Sequence, residues 1–98
     1  MKYNSKVDDN QAEIVKAFRK AGASVKHVHS VKGFVDIVVG YCGCTELVEI
    51  KDGTKSPSKQ KLTKDEQEFW DSWKGRSPVI VKGIGDIGLV LKNMVRGV

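Results

Sequence analysis

Gly33-Phe34-Val35-Asp36-Ile37-Val38-Val39-Gly40-Tyr41-Cys42-Gly43-Cys44-Thr45-Glu46-Leu47-Val48-Glu49-Ile50-Lys51 is the stretch that decides the fold. Two apolar runs, Phe34 to Tyr41 and Cys44 to Lys51, flank a Cys42-Gly43 pair, the pattern of a β-hairpin with a two-residue loop. A loop of that length fixes the register. Tyr41 then faces Cys44, Val39 faces Glu46, and Asp36 faces Glu49. Directly opposed residues hold their Cβ atoms only ~4.5–5.5 Å apart, so two carboxylates meet on one face of a sheet. Lys51, two residues past Glu49, projects from that same face because strand side chains alternate. Like charges directly opposite each other destabilise a sheet, and a divalent cation between them removes the penalty. Asp36 is also the one charge in an otherwise apolar run, the composition of a strand covered on both faces.

The flanking segments complete a single domain over residues 1–98. Asp8-Asp9-Asn10 is a capping cluster ahead of Ile14, Val15, Phe18 and Ala21, whose spacing predicts a helix over about 9–21 that stops at Gly22. Ser24 to Val31 alternates well enough to predict a first strand, and Lys32-Gly33 a turn. After Asp52-Gly53 and a loop of Lys, Ser, Pro and Gln, Thr63 and Glu66 have capping-box spacing. Phe69, Trp70 and Trp73 give the helix that follows its apolar face, and Gly75 closes it. Pro78 to Lys82 reads as a short strand, and Asp86 as the cap of a last helix carrying Ile87, Val90, Leu91 and Met94. The expected order is α-β-β-β-α-β-α, an α/β domain with a mixed four-stranded sheet flanked by helices.

Composition bounds the function. The 98 residues carry a net charge of +5, a mild basic excess compatible with a polyanionic partner. No apolar run approaches the ~20 residues of a membrane span, and Met1-Lys2-Tyr3-Asn4 does not open like a signal peptide. Cys42 and Cys44 stand too close in sequence to bridge each other readily and form no zinc motif. A cytoplasmic protein without a disulfide framework is the expectation.

Asp36 with Glu49-Ile50-Lys51 is the donor set that metal-assisted phosphodiester hydrolysis asks for. Mg²⁺ takes oxygen ligands, typically one or two carboxylates with waters and substrate phosphate. Asp36 and Glu49 supply carboxylates, and the Ile50 carbonyl can be a third ligand while its side chain enters the core. Lys51 can position a water or stabilise charge developing on the phosphate. Glu13, on the first helix, is a further acidic candidate.

The Gly33-Phe34-Val35-Asp36 … Glu49-Ile50-Lys51 pattern resembles the signature of the PD-(D/E)xK nuclease superfamily. Across nearly the whole chain it looks like a stand-alone virus-type replication–repair nuclease (VRR-NUC) domain of the phage type. The resemblance implies a restriction-endonuclease-like fold, Mg²⁺ or Mn²⁺ held by Asp36 and Glu49, catalysis by Lys51, and an auxiliary acid at Glu13. It implies an auxiliary role for a glutamine early in the second helix, where Gln67 is the nearest match and Glu66 a rival. It also implies branched DNA as substrate, a four-way junction above all, and a symmetric homodimer. Val35 stands where the family usually has proline. The alternative is a non-catalytic nucleic-acid-binding module of the same fold.

Lys55, Lys59, Lys61 and Lys64 surround the loop beside the expected site, as a solvated segment or as a phosphate-tracking arm. His27 and His29 are expected as solvated strand residues, and Trp70 and Trp73 as core or interface packing rather than base-stacking platforms.

Overall fold

The computed structural model describes residues 9–96; the Met1-Lys2-Tyr3-Asn4 opening and Asp8 of the capping cluster lie outside the described residues. Helix α1 (Gln11–Lys20) leads into strands β1 (Ser24–His27), β2 (Ile37–Tyr41) and β3 (Cys44–Ile50). Helix α2 (Lys64–Ser72), strand β4 (Val79–Val81) and helix α3 (Ile87–Val95) follow, with one-turn 3-10 segments at Pro57–Gln60 and Ile84–Asp86. The four strands lie in the order β1-β2-β3-β4, antiparallel except for the parallel β3–β4 pair. The result is a small α/β domain with a mixed sheet and three helices.

The hairpin has the register its turn length predicts: Tyr41 pairs with Cys44, Val39 with Glu46, and Ile37 with Val48. Cys42 (φ 52) and Gly43 (φ 78) are both left-handed, the signature of a type I′ turn, whose twist matches that of the flanking strands. A non-glycine residue in this region carries a steric cost that asparagine tolerates better. Cys42→Asn is therefore expected to stabilise the domain by about 0.5–1 kcal/mol, read as a higher urea midpoint. An unchanged or lower midpoint counts against a strained turn.

At Asp36 the structure departs from the expected strand. The ladder stops at Ile37–Val48, so Asp36 and Glu49 are not a ladder pair. In a regular strand, the N–H and C=O of one residue point to the same side. Here the Asp36 carbonyl accepts from the Val28 N–H (2.9 Å), on the β1 side, while its own N–H donates to the Val48 carbonyl (3.1 Å) on β3. Val48 thus faces two residues, Asp36 and Ile37, which is the two-against-one count of a β-bulge. Upstream, Val31 N–H donates to Val28 and Phe34 N–H to Val31, and Gly33 has φ 70. These turns end β1 at His27 rather than Val31, and they delay β2 from Phe34 to Ile37.

Helix α1 stops as its sequence requires. Gly22 (φ 99) donates to the Arg19 carbonyl, and Ala23 N–H to that of Phe18, the paired bonds of a Schellman motif. Its start differs from expectation. The Asn10 side chain makes no cap bond; instead its Nδ2 donates to the carbonyls of Lys82 (3.1 Å) and Lys51 (3.4 Å), pinning α1 to the sheet end. Asp86 likewise leaves α3 uncapped and accepts from the Lys82 N–H at 2.8 Å.

One core fills the face under α1 and α3, where Ile14, Val15 and Phe18 meet Val25, Ile37, Val39, Val48, Ile50 and Val81, and Met94 comes down from α3. Because Val48 and Ile50 point into that core, Glu49 and Lys51 must point to the other face. Glu66 on α2 meets Lys51 there, which places α2 across the sheet from α1 and α3. No residue of α2 is fully buried. Its hold on the domain runs through Glu66 and an aromatic chain in which Phe34 packs edge-on against Phe69 (5.2 Å) and Phe69 against Trp73 (5.1 Å).

Candidate functional site

Parallel pairing determines what the end of β3 can offer. The Lys51 N–H donates to Val81, so the alternating ladder turns the N–H and C=O of Ile50 toward β2. There the bulge has ended the ladder, and the Ile50 N–H donates to Asp36 Oδ2 at 2.7 Å. The bulge therefore aims the Asp36 carboxylate at the backbone of β3 and leaves it in hydrogen-bond contact with Glu49. The sequence placed these two carboxyls together and the structure keeps them together, by a different route from direct cross-strand pairing.

Glu49 is 3% exposed and Lys51 8%. Lys51 Nζ donates to Glu66 Oε1 at 2.9 Å and lies 3.7 Å from Glu49 Oε2. That same Glu66 oxygen accepts the Thr63 N–H at 2.8 Å, and Thr63 Oγ1 accepts the Glu66 N–H at 3.2 Å. The predicted capping box is complete. One carboxylate thus starts α2 and holds the lysine. A cleft of about 360 Å³ opens beside this cluster, with Asp36, Glu49, Glu66, Thr63, His29 and Phe34 among the residues that line it.

Three carboxyls around one ammonium cannot all be charged at low cost. Burial pushes Glu49 up to about 10, and the negative charges of Asp36 and Glu66 act in the same direction. Burial also raises Asp36, against the lowering pull of the Ile50 amide and the Glu49 hydrogen bond. For Glu66, burial acts upward but is outweighed by the Thr63 amide, by Lys51 and by Glu49, and the group is held below the usual carboxylate range. At neutral pH the Asp36–Glu49 pair therefore holds a proton, and Glu49 is the member pushed up furthest. That proton performs the neutralisation a cation can perform.

The donor set fits a hard divalent ion of modest protein coordination. Asp36, in the bulge before β2, meets Glu49 and the Ile50 backbone at the end of β3, and Mg²⁺ is commonly held by one or two carboxylates with water and phosphate completing its shell. Among the described residues, no group of three or more His, Cys, Asp and Glu side chains is disposed to hold a metal ion. An ion here would depend on water or substrate for the rest of its ligands.

Other expected site residues lie elsewhere. Glu13 is exposed and lines a separate cleft with Asn10, Asp52 and Lys82, because packing Ile14, Val15 and Phe18 inward turns it out to solvent. Gln67 is exposed as well, and its Nε2 donates to Asp71 Oδ1 at 2.9 Å. Its neighbour Glu66 occupies the site in its place. Lys55, Lys59, Lys61 and Lys64 are all exposed, with Lys55 3.9 Å from Asp9. Their loop is built rather than slack: Gln60 Nε2 donates to the carbonyls of Lys55 (2.7 Å) and Gly53 (3.3 Å). Lys61 and Lys64 flank Thr63 in the chain, and of these three only Thr63 lines the cleft.

His29, expected as a solvated strand residue, lies beyond the end of β1, is half-buried and lines the cleft. His27 instead bonds Gln11 across a 3.2 Å contact. Trp73 is exposed and Trp70 half-buried. Cys42 and Cys44 are both free thiols, with Cys44 Sγ donating to the Met94 carbonyl. Away from the cleft, Glu46 is 3% exposed and pairs with Arg76 at 3.3 Å; burial raises its carboxyl while Arg76 lowers it. Among the described residues no helix is long and apolar enough to cross a membrane.

No family model matches this chain, and neither curated proteins nor solved structures supply a match.

Proposed function

We propose that this domain is a Mg²⁺- or Mn²⁺-dependent endonuclease of restriction-endonuclease-like fold that hydrolyses phosphodiester bonds in DNA, with branched DNA as its preferred form. The observation that carries the reading is the Asp36–Glu49 contact beside a buried, oriented Lys51. Two desolvated carboxyls in hydrogen-bond contact need a proton or a cation to neutralise them, and a divalent ion can take the place of the proton. The mixed sheet, with the carboxyls at the shared end of β2 and β3, is consistent with the resemblance drawn from the sequence.

A bound divalent ion supplies Lewis acidity to a phosphate oxygen and lowers the pKa of a water. The chain supplies the rest. Asp36, fixed by the Ile50 N–H, and Glu49, in its deprotonated form, are the residues that would hold the ion. Lys51, held by Glu66 at 2.9 Å, brings a positive charge to the cleft, where it can stabilise a phosphate oxygen that gains charge in the transition state. Lys61 and Lys64, exposed on either side of the cleft-lining Thr63, attract the DNA backbone without reading its sequence.

Lys51→Ala is expected to lower kcat on a Mg²⁺-supplied four-way junction by about 10²–10³-fold, while DNA affinity in EDTA falls by much less. Undiminished cleavage by this variant removes Lys51 from the chemistry. A second reading is a nucleic-acid-binding module of the same fold without hydrolysis. Shape-selective binding with no cleavage in Mg²⁺ or Mn²⁺ would establish it.

A further inference from the structure

We propose that the outer flank of α1 is a second phosphate-binding surface, and that it takes a duplex arm other than the one held at the carboxyl cleft. The proposal rests on DNA being the partner of the cleft, and it assigns residues that the cleft does not use.

A groove of about 660 Å³ runs along α1, lined by Ala12, Val15, Lys16, Arg19, Lys20 and His27. Its floor is apolar, and every polar side chain lining it is basic or a histidine. At ~100° per residue, the five helical positions fall within an arc of about 140°, so Lys16, Arg19 and Lys20 share one flank. Lys16 and Lys20 stand one turn apart, ~6 Å along the axis. Arg19 is already oriented: its Nη2 donates to the Val25 carbonyl at 3.0 Å, leaving other guanidinium donors for a ligand. The Gln11 Nε2 contact at 3.2 Å fixes the His27 ring, and an Nδ1 that accepts this bond leaves the proton on the second ring nitrogen, a donor.

The spread of these cations suits a polyanion better than a single phosphate, since each lysine can neutralise a different phosphate along a backbone. Position then sets the form of that polyanion. The cleft lies on the α2 side of the sheet, and α1 packs on the other side against β1, an edge strand. A straight duplex lies along one side of a domain this small. DNA that touches both surfaces must turn or divide, so the two surfaces together select a substrate with diverging arms.

The test compares wild type with a Lys16→Ala/Lys20→Ala double variant. Binding to a four-way junction and to a linear duplex of equal total length is measured in EDTA across a salt series. Both lysines are exposed, so a thermal melt is expected to confirm an intact fold. The expected result is that the double variant lowers the log–log salt slope on the junction by about 2 and leaves the slope on the linear duplex unchanged. An unchanged junction slope overturns the proposal, as does an equal loss on both DNAs, and so does a wild type with no affinity for DNA. Cleavage in Mg²⁺ is scored separately. A protein that binds as described but never cuts refutes the hydrolase reading and leaves this surface standing.

Discussion

In EDTA, the domain is expected to lose about 3 kcal/mol of folding stability between pH 6 and pH 8, and Glu49→Gln to abolish most of that loss. Glu49 ordinarily titrates near 4.5 and is raised to about 10 in the folded chain, first by burial and then by Asp36 and Glu66. Across that window the folded state holds a proton that the unfolded state has released. Stability is therefore fully present below about 4.5 and declines as pH rises toward 10, the reverse of the usual pattern for an ion-paired carboxylate. Glutamine is neutral at every pH and nearly isosteric, so the variant becomes the more stable protein at pH 8. Mn²⁺ reverses the comparison. Displacing the proton from Glu49 couples ion binding to folding, and an ion at a hundred times its Kd adds about 3 kcal/mol to the wild type and little to the variant. Urea denaturation at the two pH values, with and without Mn²⁺, checks both halves. A wild type equally stable at pH 6 and pH 8 without metal means that Glu49 is not buried as a neutral acid.

The parts of this site that rest on local geometry were legible in the sequence, and those that rest on tertiary competition were not. Cys42-Gly43 specifies a tight turn, and a tight turn specifies every pair from Tyr41–Cys44 to Ile37–Val48. Nothing local announces that the Asp36 amide will abandon the β1 side for the Val48 carbonyl. That choice depends on how the Val28–Phe34 turns feed the strand. Glu66 was visible as a helix cap because Thr63 stands three residues ahead of it. Its second duty, holding Lys51, needed α2 to be laid across the sheet. The position of Glu13 could have been read from helical phase. At ~100° per residue it lies about 150° from the centre of the Ile14–Val15–Phe18 stripe, so a helix that buries that stripe presents Glu13 to water. Gln67 carries the same lesson, since of two adjacent helical residues only one can face the sheet, and the cap had already chosen Glu66.

Asp36 separates structure from chemistry, because its two duties respond differently to substitution. One carboxyl oxygen accepts the Ile50 N–H at 2.7 Å, a backbone donor that the bulge has left without a strand partner. Asparagine can accept that bond through its own oxygen, so Asp36→Asn is expected to change stability by less than about 1 kcal/mol. Alanine cannot. Asp36→Ala leaves the Ile50 amide buried and unsatisfied and is expected to cost about 1–3 kcal/mol. Hydrolysis follows a different order. Losing even a group that merely orients a metal ligand typically costs 10–100-fold in metal affinity or activity, and Asp36 would touch the ion itself. Both variants are therefore expected to cleave branched DNA at least ~100-fold more slowly in Mg²⁺, although only the alanine variant melts early. Thermal denaturation alongside a junction-cleavage time course distinguishes the cases. If Asp36→Asn cuts at the wild-type rate, the carboxylate serves the bulge alone and the metal reading of the cleft fails. If both variants melt like wild type and neither cuts, Asp36 acts in the chemistry while the Ile50 amide finds another acceptor.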